Sequence, residues 1–206
     1  MYVIHRLCCG NLMTVTRHQK IFLLKQKILE VTEQLLLENN QDIIVGELAE
    51  ELDIAKGTIY KYFKCKNQLY LELLILNETR LLEIAQKFKT DVQEGIRQFM
   101  LYHLMNSNRT VLLHNIEERI TSQERGIKNK FEELYEVREK RIIEVKEITV
   151  EYLISRNCAI SLRDYLSYVW TITHGACLLL SSTYYQKSIG ERENLINFYI
   201  KQAINV

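Results

Sequence analysis

Three observations predict an all-α fold for this 206-residue chain. Proline is absent and only seven glycines occur, so long helices meet few breaks and the tight turns of an all-β fold are scarce. Apolar residues recur three and four apart through most of the chain, which is the period of an amphipathic helix. Residues 45–66, VGELAEELDIAKGTIYKYFKCK, pack two short helical patterns and a turn into one continuous stretch.

Taken in order, residues 1–16 read as an extension. Their apolar character is interrupted by His5, Arg6 and Asn11, which argues against a signal-peptide core. The extension is expected to be disordered, or not translated if synthesis starts at Met13 instead of Met1. A first helix is predicted over about 17–38, with Arg17, Lys20, Lys25 and Lys27 ahead of its first acid, Glu30. In the second, Val45, Leu48, Ala49 and Leu52 share one face. Asp53 stands at the turn, where a left-handed backbone is tolerated by Asp better than by most residues. The third helix turns Ile59 and Phe63 inward and Lys56, Thr58, Tyr60, Lys61, Tyr62 and Lys64 outward, both tyrosines toward solvent.

A long fourth helix is predicted from about Lys66, carrying the dense Leu/Ile pattern of residues 68–89. Further helices follow over about 91–106, 109–121, 127–156, 161–185 and 191–205, the last two separated by Ser188-Ile189-Gly190. That makes about nine helices, divided into a head over 17–66 and a body over 67–206. Two stripes close the chain: Leu162, Leu166, Val169, Thr173, Ala176 and Leu180, then Leu195, Ile196, Tyr199, Ile200 and Ala203. They are read as an oligomer face, with the chain's own core as the other reading.

Charge and motifs narrow the function classes. Net charge is +1, so a polycation is excluded, but from Ile54 to Leu71 there are four lysines and no acid. A basic, aromatic helix after a tight turn suits a DNA major groove. The most apolar run, Ala176 to Leu180, is far too short to span a membrane. The five cysteines, at 8, 9, 65, 158 and 177, form no CxxC pair, and a reduced cytoplasmic protein is the expectation. Cys65, flanked by Lys64 and Lys66, invites a redox-switch reading beside the plainer one of a small loop residue. No nucleophile motif, Gly-rich phosphate loop or HExxH spacing is present, so neither an enzyme nor a cofactor is expected. His103, His114 and His174 lack metal-ligand spacing, and no metal is expected.

At these residues the chain resembles the TetR family of transcriptional regulators. The likeness rests on Leu48-Ala49, on Gly57-Thr58-Ile59-Tyr60 followed by Tyr62-Phe63, on Lys66 with Leu69, and upstream on Ile28-Leu29 with Leu35-Leu36. It covers roughly residues 25–72, about a quarter of the chain. The resemblance implies an N-terminal three-helix helix-turn-helix DNA-binding domain joined by a long helix to a C-terminal helical bundle for ligand binding and dimerisation. It implies base contacts from Lys56, Gly57 and Tyr60, and phosphate contacts from Thr58, Tyr62 and Lys66; Lys61 and Lys64 complete the expected DNA-binding set. An effector pocket is implied in the body, for which the aromatic and histidine candidates are Phe99, Tyr102, His103, His114, Tyr135, Tyr168, Trp170 and His174.

The chain departs from the family pattern at two helix starts. Ile43 and Ile44 stand where a hydroxyl residue usually caps the second helix, and Ala55 stands where Ser usually opens the third. The expected protein is a homodimeric, ligand-responsive repressor that binds a double-stranded operator and joins its partner through the last two helices. The rival is an interaction module or co-regulator that keeps the fold with weakened DNA binding.

Overall fold

The computed structural model describes residues 16–39, 42–123, 127–188 and 190–205. The extension and the choice between Met1 and Met13 therefore lie outside the described residues, apart from Thr16. Ten helices are described: α1 (Arg17–Asn39), α2 (Val45–Glu51), α3 (Lys56–Tyr62), α4 (Lys66–Lys87), α5 (Val92–Leu104), α6 (Ser107–Gln123), α7 (Lys128–Ser155), α8 (Leu162–Ser181), α9 (Thr183–Ser188) and α10 (Arg192–Ile204). No strand occurs among the described residues.

Local chemistry sets several helix starts. Thr16 Oγ1 accepts from Gln19 N at 3.3 Å while Gln19 Oε1 accepts from Thr16 N at 2.8 Å, a reciprocal capping box ahead of α1. Asp91 caps α5 through Glu94 N at 3.0 Å, and Ser161 caps α8 through Asp164 N at 3.1 Å. Helix ends are closed from a distance as well. Arg192 of α10 donates to Leu104 O at 2.7 Å and Leu180 O at 3.2 Å, satisfying carbonyls at the ends of α5 and α8.

One helix was expected over 161–185, and two form instead. Ser182 takes an extended backbone (φ −86°, ψ 119°) and separates α8 from α9. The Ser181 hydroxyl donates back to Cys177 O at 2.7 Å, competing with the helical ladder where no proline or glycine marks a stop. The polar run Ser181-Ser182-Thr183 is the only local trace of the break.

Two apolar cores are present. The first joins α1, α2, α3 and the first half of α4 to α6 and the start of α7, from Ile28 and Leu36 through Leu48, Ile59 and Phe63 to Leu71, Ile120 and Leu134. It runs without interruption across residue 66. The second lies among α5, α8, α10 and the end of α7, around Met100, Leu104, Leu153, Tyr165, Cys177 and Ile200. Between them α4 packs along α7, the most extensive helix pair of the fold. No helix is long and apolar enough to cross a membrane among the described residues.

Candidate nucleic-acid interface and body cavities

The turn between α2 and α3 is closed by two hydrogen bonds, Ile54 N to Ala49 O and Asp53 N to Glu50 O, both 3.0 Å. This is a Schellman ending, and Asp53 takes the left-handed position with φ +51°. Leu48, Ile59 and Phe63 are almost fully buried, so α3 is held at a defined angle to α2. The helix starts carry the weakness read from the sequence. Ile44 and Ala55 occupy the capping positions of α2 and α3, and neither makes a side-chain cap.

On the outer side of α3, Lys56, Gly57, Tyr60 and Lys61 are exposed, as is Lys64 just beyond it. None of these three lysines enters an ion pair among the described residues, so their charge is available to solvent or to a phosphate. Gly57 has nothing within 4 Å of the position a Cβ would take. Thr58 is half-buried. Tyr62 corrects the sequence reading, because its ring packs against the first core instead of pointing to solvent. A tyrosine directly before the buried Phe63 can lie along the core edge with its hydroxyl outward.

Lys66 belongs to a different arrangement. Its Nζ lies 2.5 Å from Asp42 Oδ2, and Asp42 also accepts from Tyr70 Oη and, at 3.0 Å, from Arg119. Tyr70 Oη in turn accepts from Ile43 N at 3.1 Å. Burial pushes the Asp42 carboxyl up, but the bonds from Lys66 and Tyr70 and the charges of Lys66 and Arg119 outweigh it and hold it below the usual range. Asp42 thus ties the entry of α2 to α4 and α6. Cys65 caps α4, its Sγ accepting from Gln68 N at 3.4 Å.

Two of the cavities in the body adjoin one another. The first, about 290 Å³, lies among α4, α5, α7 and α8 with a wall that includes Leu81, Ile84, Phe88, Phe99, Ile142, Ile148, Val169 and Trp170; Arg141 is its charged lining residue. The second, about 330 Å³, has a mixed polar and apolar wall and is lined by Glu78, Phe99, His103, Thr110, His114, Glu117, Arg138, Arg141 and Trp170 among others. Phe99, Arg141 and Trp170 border both.

Of the candidates read from the sequence, Phe99, His103, His114 and Trp170 come together here. His174 stacks beside them, 5.3 Å from Trp170 and 4.5 Å from His114 between ring centroids. Tyr102 donates to Asn77 Oδ1 at 2.9 Å under the Arg109 guanidinium. Tyr135 is exposed and stacked on Phe131, and Tyr168 is exposed with its hydroxyl 3.4 Å from Gln202 O; neither lines these two cavities. Glu78, Arg138 and Arg141 were not singled out from the sequence, since charged residues on a heptad-like pattern read as solvated. No group of three or more potential metal ligands occurs among the described residues.

His103 is the distinctive group of the second cavity. It is buried, and Thr110 Oγ1 lies 3.1 Å from its Nδ1. We assign that hydroxyl's proton to His103 O, 3.2 Å away, so that it accepts from Nδ1–H and leaves Nε2 as an acceptor. Nε2 is buried and makes no hydrogen bond among the described residues. A buried acceptor left unpaired costs about 1–3 kcal/mol. Burial, then the charges of Arg141 and Arg109, push the imidazole down to about 3, so it is neutral at physiological pH.

A pH dependence follows with a definite sign. The unfolded imidazole binds a proton below its ordinary value of about 6.5, whereas the folded one waits until about 3, so stability falls as pH drops through that window. Chemical denaturation at pH 7 and pH 5 should show the loss. The loss should be smaller in His103→Gln, which cannot titrate. An equal loss in both proteins would show that His103 is not its source.

Comparison with known proteins agrees with this geometry. Residues 28–73 match the family model "Bacterial regulatory proteins, tetR family". Over 81 residues the chain is 32% identical to the HTH-type transcriptional regulator QacR of Staphylococcus aureus; that match covers 39% of this chain and 43% of QacR. Over 162 residues it is 27% identical to the HTH-type transcriptional regulator AcrR of Shigella flexneri, covering 69% of this chain and 74% of AcrR. In fold it is similar to the transcriptional regulator FadR of Bacillus subtilis in complex with stearoyl-CoA, with a TM-score of 0.61 and 15% identity, over 88% of this chain and 98% of that one.

Proposed function

We propose that the chain is a ligand-responsive DNA-binding transcriptional regulator of the tetR family and not an enzyme, a reading supported by the match of residues 28–73 to that family's model and by the likeness to QacR and AcrR. In this reading it is a cytoplasmic, homodimeric repressor that leaves its operator when a small molecule enters the body. The observation that carries the DNA side is the outer face of α3, where Lys56, Lys61 and Lys64 are exposed and unpaired beside the exposed Tyr60. Lys56, Gly57 and Tyr60 are assigned to base edges, and Thr58, Lys61, Tyr62 and Lys64 to the phosphate side. Lys66 joins them by exchanging Asp42 for a phosphate.

The division of labour follows the helices: residues 17–66 read DNA and 67–206 bind the effector and the partner. The cavities beside Phe99, His103, His114 and Trp170 are the effector site. FadR of Bacillus subtilis holds an acyl thioester, and an apolar chain is likewise the kind of body that the first cavity of this chain accommodates. Ligand entry against α4 would shift the head through the core they share. A dimer would then change the spacing of its recognition helices away from the roughly 34–36 Å that separates successive major-groove faces.

The dimer surface differs from the stripes read in the sequence. Val169, Thr173, Ala176 and Leu180 on α8, and Ile196, Ile200 and Ala203 on α10, are buried within the chain's own second core. The partner is assigned instead to the outward sides of the same helices, where Thr171, Gly175 and Leu178 on α8 and Phe198 on α10 are exposed. Gly175 has nothing within 4 Å of its Cβ position, leaving room for a second helix.

The test is binding of the purified chain to DNA immediately upstream of its coding region, and to unrelated duplex, at low and moderate salt. A saturable, salt-sensitive complex is expected. No binding even to unrelated duplex at low salt would favour the interaction-module alternative. Gly57 supplies a sharper version. Gly57→Ala meets no atom in the protein and removes a poor helix former, so the fold should gain about 0.5–1 kcal/mol. DNA affinity should fall in the same variant, because the added methyl stands between α3 and the groove. A gain in stability with unchanged affinity would remove Gly57 from the interface.

A further inference from the structure

Two adjoining body cavities share a wall of Leu81, Phe99, Arg141 and Trp170, yet they differ in what they ask of a ligand. The first is almost wholly apolar, and its charged lining residue Arg141 already lies 3.4 Å from the Glu78 carboxylate. The second is charge-balanced where it is enclosed. Glu117 holds Arg138 at 2.6 and 2.8 Å, and Glu78 lies 3.0 Å from Arg138 and 3.4 Å from Arg141, so two carboxylates face two guanidiniums. Its remaining charged lining residue, Glu118, is solvent-exposed. An anionic or cationic head entering there would have to compete with these ion pairs.

Three buried polar atoms of this chamber's lining make no hydrogen bond among the described residues: Glu78 Oε2 and Arg141 Nε, which face each other at 3.4 Å as an ion pair, and His103 Nε2, which has no charged partner. His103 is 4% exposed, its Nδ1 is committed to Thr110, and its Nε2 makes no hydrogen bond. Two flat rings, Phe99 and Trp170, stand against its imidazole, with centroids 4.8 and 5.4 Å away.

We infer that the two cavities form one bipartite site for an uncharged amphipathic molecule, its apolar body in the first chamber and a hydrogen-bond-donating head, amide or hydroxyl, on His103 Nε2 in the second. The inference deepens the effector reading of the body and rests on it. It names His103 as the residue that sets head-group specificity and Phe99 and Trp170 as the throat between the chambers.

The single tryptophan of the chain, Trp170, borders both cavities and reports on either. Quenching of its fluorescence in the full-length protein should be titrated with decanamide, methyl decanoate, decanoate and decylammonium. Decanamide should bind about tenfold tighter than its ester, which lacks a donor, and tighter than either ion. His103→Phe keeps an aromatic ring in place and should bring decanamide to the affinity of the ester while leaving the ester unchanged. Binding of all four compounds without preference, or tightest binding of an ion, overturns this inference and leaves the effector reading standing. No quenching by any of the four likewise overturns this inference.

Discussion

The triple variant Lys56→Ala, Lys61→Ala, Lys64→Ala is expected to lose about a hundredfold in DNA affinity at physiological salt while keeping its fold. All three side chains are exposed and pair with no acid among the described residues, so alanine removes no internal contact. Exposed substitutions of this kind usually change stability by no more than about 0.5 kcal/mol. On DNA the same charges act differently. Each lysine that neutralises a phosphate releases counterions and adds about 0.9 to the slope of log affinity against log salt. Removing up to three from each protomer, six per dimer on its operator, should flatten that slope by as much as about 5.4, and fluorescence anisotropy across a salt series measures both numbers at once. An unchanged slope would mean that this face of α3 does not meet phosphate, and the head would need another role.

Lys66→Ala makes the informative contrast. Lys66 is held by Asp42 in the free protein, so its loss also loosens the α2 entry that Asp42 shares with Tyr70 and Arg119. Weakened binding in that variant mixes a lost phosphate contact with a disturbed head. The three outward lysines carry no such ambiguity.

The head was legible because its signals are local. Val45, Leu48 and Ala49 mark one buried face, Ile59 and Phe63 another, and Asp53 marks the turn between them; each rests on neighbours within a few residues. Tyr62 was misread because a seven-residue helix leaves its flank ambiguous, and an amphipathic ring can lie on either side. The α8 stripe shows the limit of periodicity. Spacing reveals that Val169, Thr173, Ala176 and Leu180 are buried, but not whether the covering surface belongs to the same chain.

The body cavities were legible only as a tendency. Phe99, His103 and Trp170 attracted notice as residue types, yet their convergence depends on how α5 and α8 pack. The apolar wall at Leu81, Ile84 and Ile148 looks like ordinary core in sequence, since a residue lining a cavity and one filling a core share the same spacing. Ion pairs were beyond reach altogether. Glu117 with Arg138 and Arg80 with Glu33 join residues far apart in the chain, and nothing in either neighbourhood selects its partner.

Glu33 is where that hidden layer should matter most for stability. Its carboxylate on α1 receives Arg80 of α4 at 3.0 Å and Arg109 of α6, whose guanidinium also donates to Asn77 at 2.7 Å and to Tyr102 Oη at 2.6 Å. The Glu33 and Arg109 side chains are 14% and 11% exposed, so water screens the pair poorly. Glu33→Ala leaves Arg109 charged and short of its carboxylate. Breaking a fully buried pair in this way costs about 3–5 kcal/mol, and the residual exposure here, with Asn77 and Tyr102 still in place, brings the expectation to about 2–3 kcal/mol. For a chain of this size that corresponds to a fall in Tm of about 4–12 °C, and Glu33→Gln, which still accepts a hydrogen bond, should recover part of it. The double variant Glu33→Ala, Arg109→Met should be less damaged than Glu33→Ala alone, since it removes the stranded charge as well. Additive losses in a cycle completed by Arg109→Met alone would show that the two side chains do not act as a pair.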